Sequence, residues 1–572
     1  MEILSVKDLT FTYPGDDKPV IKNVSFDIRE GEMIVVCGKT GSGKSTLLRL
    51  IKEELRPYGE FSGSIEFSDP SVKTGFVMQN PNEQAVTDKV WHELVFGMEN
   101  YGLKQDVMAL RAAEMSAYFG IEELYEKNVN ELSGGQLQML NLASVMACDP
   151  DILILDEPTA QLDPVAASMF LSAIEKLNKD FALTVIIAEH RLDDLLPMCD
   201  RMIVLDDGAV AAEGKVADVI AGAAACSGLF ETLPAPYRLS RMLGENSDCP
   251  LTIREGREFI RGYLKNGNAD TGSNKGILHK SATNTDDEKN IKDRIEKSAD
   301  ENKRGDETNQ NDRKNPALEM KQVFFRYDRY SPDVLKGFDL TVNKGEIFCL
   351  LGGNGSGKTT ALNVAAGLLK PYSGSVRVFS TKIKDYKNQG LYNKCLAMMP
   401  QDVQTLFLYD SVQKEIDSMG GFDLLPSNVA EWIRPFADKH PYDLSGGEQQ
   451  MVAFAKTLAA QPKLFLMDEP TRGMDAECKI RFASVIKELK KEGITFLIVT
   501  HDVEFAAVCA DRCGLCFNGK IAALTGTEEF FADNRLYTTA ACRMSRGVCG
   551  GAATIEGLAA VLDTGGRRFD SF

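Results

Sequence analysis

The sequence predicts an α/β protein made of two similar units, each built on a mainly parallel sheet, and three observations predict it. A loop of the form G-x-x-x-x-G-K-[S/T] occurs at 38 to 45 and again at 352 to 359, each time after a short apolar run and before a helical stretch. Further apolar runs of strand length, Ile152 to Leu155 with Thr184 to Ala188 and Leu464 to Met467 with Thr495 to Thr500, follow in the same order in both halves. The latter member of each pair is preceded by a charged amphipathic helix, the strand-helix alternation of a parallel sheet. Smaller landmarks repeat as well: Phe-Thr-Tyr ending at Tyr13 returns as Phe-Arg-Tyr ending at Tyr327, and Leu-Asp-Glu-Pro-Thr as Met-Asp-Glu-Pro-Thr. A duplication of this kind has to be recognised before any element is placed.

The elements then divide the 572 residues. A first core spans 1–225, and a small C-terminal appendage 226–265. A second core spans 316–530, with its own appendage at 531–572, the tails matching through Arg241-Met242 with Thr252-Ile253 and Arg543-Met544 with Thr554-Ile555. Between them 266–315 is rich in Asn, Asp, Glu, Lys, Ser and Thr and nearly free of aromatics, a flexible polar linker with too few apolar groups to offset ordering entropy.

Composition narrows the function classes. The net charge of −18 argues against a broad nucleic-acid surface. No apolar stretch is long enough to span a bilayer and no secretory signal is evident, so a cytoplasmic protein is expected. The 13 cysteines are odd in number and scattered, suiting reduced thiols. Cys513 and Cys516 replace Met202 and Leu205 of the first half, and read as small hydrophobes on a buried strand.

Chemistry concentrates in the repeated motifs. In such a loop the backbone N–H groups curl around phosphate oxygens and the helix start adds a favourable dipole. That predicts ATP contacts from Gly38, Thr40, Gly41, Ser42, Gly43, Lys44, Ser45 and Thr46, and from Gly352, Asn354, Gly355, Ser356, Gly357, Lys358, Thr359 and Thr360. The two lysines should reach the β and γ phosphates, and the Ser45 and Thr359 hydroxyls should ligate Mg²⁺. Asp156 and Asp468 end apolar strands, where a carboxylate can face that metal. Glu157 and Glu469 follow them, placed to deprotonate the attacking water. Of five histidines, only His190 and His501 occupy matched positions, each at the end of a strand after these glutamates.

Leu-Ser-Gly-Gly-Gln and Leu-Ser-Gly-Gly-Glu, each between a phosphate loop and an Asp-Glu pair, resemble the signature of ABC-type ATPases. The resemblance implies two ABC-type nucleotide-binding domains, each with a helical subdomain, facing head to tail around two ATP molecules. Ser133, Gly134 and Gly135 then serve the site of Lys358, and Ser445, Gly446 and Gly447 that of Lys44. It also implies that Tyr13 and Tyr327 stack on adenine, that Gln79 and Gln401 contact Mg²⁺ and water, and that Asp163 and Asp475 couple the halves.

The segment from Val77 through Gln79, Asn80 and Pro81 to Gly97 resembles the ATPases of energy-coupling factor (ECF) importers, as do Ala188-Glu189-His190-Arg191 and Thr159-Ala160-Gln161-Leu162-Asp163-Pro164. Pro400-Gln401-Asp402-Val403 is a looser match without the Asn-Pro. This resemblance implies a peripheral location on the inner face of the membrane, with an integral scaffold (T-type) and a substrate-binding (S-type) partner. It implies a groove for a membrane coupling helix, with Glu83, Asp88, Glu93, Asp402 and Asp410 as its candidate acidic residues. Ribosome-associated ABC-F proteins are the alternative, since they too fuse two halves through a charged linker. DNA-end ATPases are disfavoured because Lys44 and Asp156 stand too close in the chain for an intervening coiled coil.

Overall fold

The computed structural model describes residues 1–190, 192–222, 230–245, 249–267, 316–386 and 390–563. The linker beyond 267, the first appendage boundary at 225 and 226, Arg191 and the last nine residues, 564–572, lie outside the described residues.

Each half has two sheets. In the first, a six-stranded sheet runs in the order Thr74–Val77, Ile152–Asp156, Thr184–Ala188, Met33–Gly38, Arg201–Asp206 and Ala209–Lys215. All neighbours are parallel except the last pair. The second half repeats this order with Leu396–Met399, Leu464–Asp468, Thr495–Val499, Ile347–Leu351, Arg512–Phe517 and Lys520–Gly526. Cys513 and Cys516 lie on the fifth of these strands, buried. Beside each six-stranded sheet lies an antiparallel one, built on Glu2–Thr12 or on Pro316–Phe325.

The strand sequences are apolar without alternation because both faces are covered. Ile34, Val36, Ile154 and Ile186 pack toward the antiparallel sheet and helix Lys44–Ile51. Met33, Val35, Leu153, Val185 and Ile187 pack on the other face with Phe170, Leu171 and Ile174 of helix Pro164–Phe181. Motif residues therefore gather along one edge, the C-terminal ends of the parallel strands, where ligands bind in open α/β sheets.

The helical subdomain is fuller in the first half. Helices Val90–Asn100, Gln105–Phe119 and Gly134–Ala147 share one apolar cluster. Their counterparts Val412–Asp417 and Ser427–Ile433 are shorter, and Gly446–Leu458 joins the main core directly. The expected boundary between 530 and 531 falls inside helix Thr527–Asp533, whose Phe530 and Phe531 are buried in the second core and draw the whole helix into it.

The two appendages form one body. Helices Ala235–Met242 and Ile253–Gly267, the latter running past the expected end at 265, pack against Ala540–Ser545 and Ile555–Asp563. Leu239, Ile260, Met544, Leu558 and Leu562 close a shared apolar cluster. Arg238 pairs with Glu556 at 3.0 Å, and Arg257 donates to the carbonyl of Arg543. Among the described residues no helix is long and apolar enough to cross a membrane.

Candidate functional site

Both phosphate loops leave the end of a central strand and turn into a helix through a left-handed glycine, Gly43 at φ 96° and Gly357 at φ 104°. The left-handed φ at Gly43 suits glycine, and a Cβ there would also crowd the Val20 carbonyl oxygen at 3.1 Å and the Ile21 side chain at 2.8 Å. Lys44 lies back across its loop and donates to the carbonyls of Gly38 (3.0 Å) and Lys39 (3.1 Å). Lys358 does the same to Gly352 (2.8 Å) and Gly353 (3.0 Å). Burial pulls the Lys44 ammonium below its ordinary pKa, so an anion entering the loop meets a poorly solvated cation.

Ser45 donates to Asp156 at 2.8 Å, and Thr359 hydrogen-bonds Asp468. Burial raises the Asp156 carboxyl to about 6, with the charge of Glu157 adding to it, and raises Asp468 to about 7. Next to them, Glu157 accepts from Gln79 at 2.9 Å and pairs with His190 Nε2 at 2.9 Å. Glu469 pairs with His501 through Nδ1, also at 2.9 Å. Burial pushes both glutamates up, but the histidine hydrogen bond and charge outweigh it and leave them below the usual carboxylate range.

Both glutamates stand at positive φ, 44° for Glu157 and 49° for Glu469. That conformation costs on the order of 1 kcal/mol or more for a residue with a Cβ. Each is held by its N–H donating to the neighbouring strand, to Ala188 (2.9 Å) and to Val499 (2.8 Å). The bend turns the carboxylate off the strand axis, toward the histidine. Gln401 does not reproduce Gln79: it is exposed and makes no side-chain hydrogen bond among the described residues.

The aromatic candidates match each other. Tyr13 bonds Thr46 and Tyr327 bonds Thr360, both at 3.1 Å, fixing each ring beside its phosphate helix. Each ring packs edge-on against Phe11 or Phe325. Tyr327 is 61% exposed, with a face open to stack on a base.

Contacts across the halves come from the two aspartates. Asp475 accepts from the backbone N–H of Thr40 at 3.0 Å, and Asp163 from that of Asn354 at 3.2 Å. The same carboxylates cap their own helices, through Val165 and Ala166 in one half and Cys478 in the other. Lys39 adds an ion pair to Glu477 at 2.7 Å. Ser133 and Ser445 begin the 14- and 13-residue helices of the Ser-Gly-Gly segments, each in a capping box with Gln136 or Glu448. Gly134, Gly135, Gly446 and Gly447 form the first turns of these helices, where free N–H groups point outward.

The sequence profile of the ABC transporter family matches residues 21–160 and 335–472. An ABC transporter ATP-binding protein of Bacillus cereus (strain ATCC 10987 / NRS 248) is 32% identical over 560 residues, covering 95% of this chain and 94% of that one. The chain belongs to the ABC transporter ATP-binding family. Among solved structures, the archaeal ribosome recycling factor aABCE1, in complex with the ribosomal stalk protein aP1, shares the two-half fold at TM-score 0.55. It is 19% identical over 92% of this chain and 91% of its own. The cbiO1 protein of Clostridium perfringens, described as part of the ABC transporter complex cbiONQ, is 32% identical over 38% of this chain and 91% of its own, at TM-score 0.35.

This ABC protein is accordingly an ATPase that uses ATP with Mg²⁺. Its loops fit the triphosphate: the buried hydroxyls of Ser42 and Ser356 have no hydrogen-bond partner, at matched positions inside the two loops. In this ABC fold Glu93 departs from the expected groove. It is 4% exposed and accepts from the N–H groups of Val86 (3.1 Å) and Thr87 (2.8 Å) and from the Thr87 hydroxyl. It shapes the segment after the glutamine from beneath. Glu415 does the same in the second half, with a buried Lys456 beside it. Glu83, Asp88, Asp402 and Asp410 are exposed, Asp410 paired with Lys414.

Two features of the site were not read from the sequence. Glu189, 2% exposed, accepts from the N–H and hydroxyl of Thr159 and from the N–H of His190, tying the histidine loop to the Asp-Glu loop. Asp193 and Glu504, three residues beyond the histidines, cap the appendage helices through the N–H groups of Ala235 (2.9 Å) and Ala540 (2.8 Å).

Proposed function

We propose that this ATPase is the motor of an ECF-type importer, coupling ATP binding and hydrolysis at two composite sites to uptake of a vitamin or metal ion through separate membrane subunits. The observation that carries this reading is the segment Val77 to Gly97, whose sequence resembles that of ECF ATPases. Its geometry suits a docking surface: with Glu93 holding the loop from beneath, Val86 is 67% exposed and Trp91 38%, beside the exposed carboxylates of Glu83 and Asp88. An apolar contact ringed by carboxylates fits a basic, amphipathic coupling helix.

In this reading Glu157 and Glu469 are the general bases. Each accepts a proton from the water that attacks the γ phosphate, while His190 or His501 orients the carboxylate and stabilises the charge beside it. Lys44 and Lys358 hold the β and γ phosphates, and Tyr13 and Tyr327 the base. Ser45, Asp156 and Gln79 would hold Mg²⁺ at one site, and Thr359 and Asp468 at the other, where Gln401 would have to turn inward from its exposed position to join them. Held there, the ion would supply positive charge against the phosphate oxygens. Ser133, Gly134 and Gly135 complete the site of Lys358, and Ser445, Gly446 and Gly447 that of Lys44. Closure of the sandwich draws the two docking surfaces together, and hydrolysis releases them.

Purification of the tagged chain from its native cells in mild detergent, with Mg²⁺ and ATP, tests the transport reading. Small integral membrane proteins in stoichiometric amount are expected by mass spectrometry, the chain itself sitting on the inner membrane face. Ribosomal proteins and RNA in their place would overturn it in favour of an ABC-F-like role.

A further inference from the structure

The two halves differ at one position beside the catalytic glutamates. After Asp-Glu-Pro-Thr the first half carries Ala160 and the second Arg472. Arg472 lines a cavity between the halves, together with Glu157, Glu189 and His190 of the first and Lys479 and His501 of the second. The cavity and its solvent-open mouth together span about 420 Å³.

The charges around this cavity are already committed, with one exception. Glu157 is held by Gln79 and His190, and Glu189 by Thr159. His501 pairs with Glu469, and Lys479 with Asp502 at 2.7 Å. The guanidinium of Arg472 is half-buried and has neither a hydrogen bond nor an ion pair among the described residues. Burial pulls its pKa below the ordinary value, and the carboxylates whose charge it feels are those of Glu469 and Asp402. A guanidinium presents a planar fork of donors suited to tetrahedral oxyanions.

We infer that this cavity is a binding site for inorganic phosphate leaving the catalytic centres, with Arg472 as its anchoring residue. Hydrolysis breaks the bond between the γ phosphorus and its bridging oxygen, and the product that departs with the water oxygen is a phosphate anion. No phosphate-loop residue lines the cavity, so a phosphate bound there does not occupy the loops that hold ADP. Only one half supplies the arginine, which makes phosphate release unequal between the two sites. The inference rests on the ATPase activity and not on the transport reading.

Equilibrium dialysis of the full chain with radiolabelled orthophosphate tests it, both γ positions being filled by a non-hydrolysable ATP analogue with Mg²⁺. The wild type is expected to bind one phosphate per chain saturably. Arg472→Ala, which restores the first half's residue, should weaken binding by about tenfold or more with nucleotide affinity unchanged. Arg472→Gln, which keeps the bulk, serves the same purpose should the alanine variant fold poorly. Equal phosphate binding by wild type and variants would overturn the site. So would its disappearance when the analogue fills the γ positions, since the phosphate would then have occupied those positions alone.

Discussion

Glu157 and Glu469 combine a strained backbone, a histidine partner and deep burial within one residue each. Replacing either with glutamine keeps the shape and removes the proton acceptor. Hydrolysis by the affected site should fall by about 100-fold or more while ATP binding persists, and the double variant should hold the sandwich closed. Single-turnover assays beside nucleotide-binding titrations check this; near-normal turnover in the double variant would remove both residues from the base role. The neighbouring aspartates make a second prediction. Burial places Asp156 at about 6 and Asp468 at about 7, above the unfolded value near 4. The folded chain therefore binds these protons more tightly than the unfolded one. The resulting stability is fully present below about pH 4 and is lost as the pH rises through about 6 and then 7. Mg²⁺ needs the ionised carboxylates, so its affinity should climb over the same window, read as the Mg²⁺ dependence of nucleotide binding between about pH 5 and 8 (roughly one unit either side of the shifted values). A flat profile would place the charge elsewhere.

At the scale of the element, much of this was legible beforehand. Strands buried on both faces leave unbroken apolar runs, and a strand-end carboxylate stands out against them, so Asp156 and Asp468 could be placed from sequence. Glu93 could not. Its spacing on helix Val90–Asn100 resembles that of a surface acid, and only the fold of Val86 and Thr87 over it makes it a buried acceptor. The left-handed glutamates are equally silent in sequence, because nothing in Asp-Glu-Pro-Thr marks φ. Gln401 shares its motif position with Gln79, yet it lies exposed. The distinction between supporting and presenting residues is measurable. Glu93→Ala leaves the partly buried N–H groups of Val86 and Thr87 without their acceptor and should cost about 1–3 kcal/mol in thermal or denaturant unfolding. Asp88→Ala, at an exposed position, should leave the unfolding midpoint within about 0.5 kcal/mol and instead reduce recovery of membrane partners. Loss of nucleotide affinity in the Asp88 variant would sink the docking-surface assignment.

For the whole molecule, the appendages were visible only as weakly matching tails, and their union was not. The apolar residues that join them, Leu239 and Ile260 with Met544 and Leu558, are far apart in the chain and become one cluster only when the halves face each other. Leu558→Asp puts a charge into that cluster and should unfold the appendage pair, costing about 3 kcal/mol or more. Small-angle scattering of the nucleotide-free chain should then report a larger radius, with ATP restoring the compact form; an unchanged radius would mean that the appendages do not hold the halves together.

The hydrogen bonds from the loop of Lys358 to Asp163 and from the loop of Lys44 to Asp475 tie each loop to the other half. A lesion in one half is felt at the active centre of the other. Damage to Asp163 would read kinetically as a fault in the second core, although every residue of that core is intact. Within a fused chain the two copies cannot be exchanged for healthier neighbours, so each inherits the other's errors for the lifetime of the molecule.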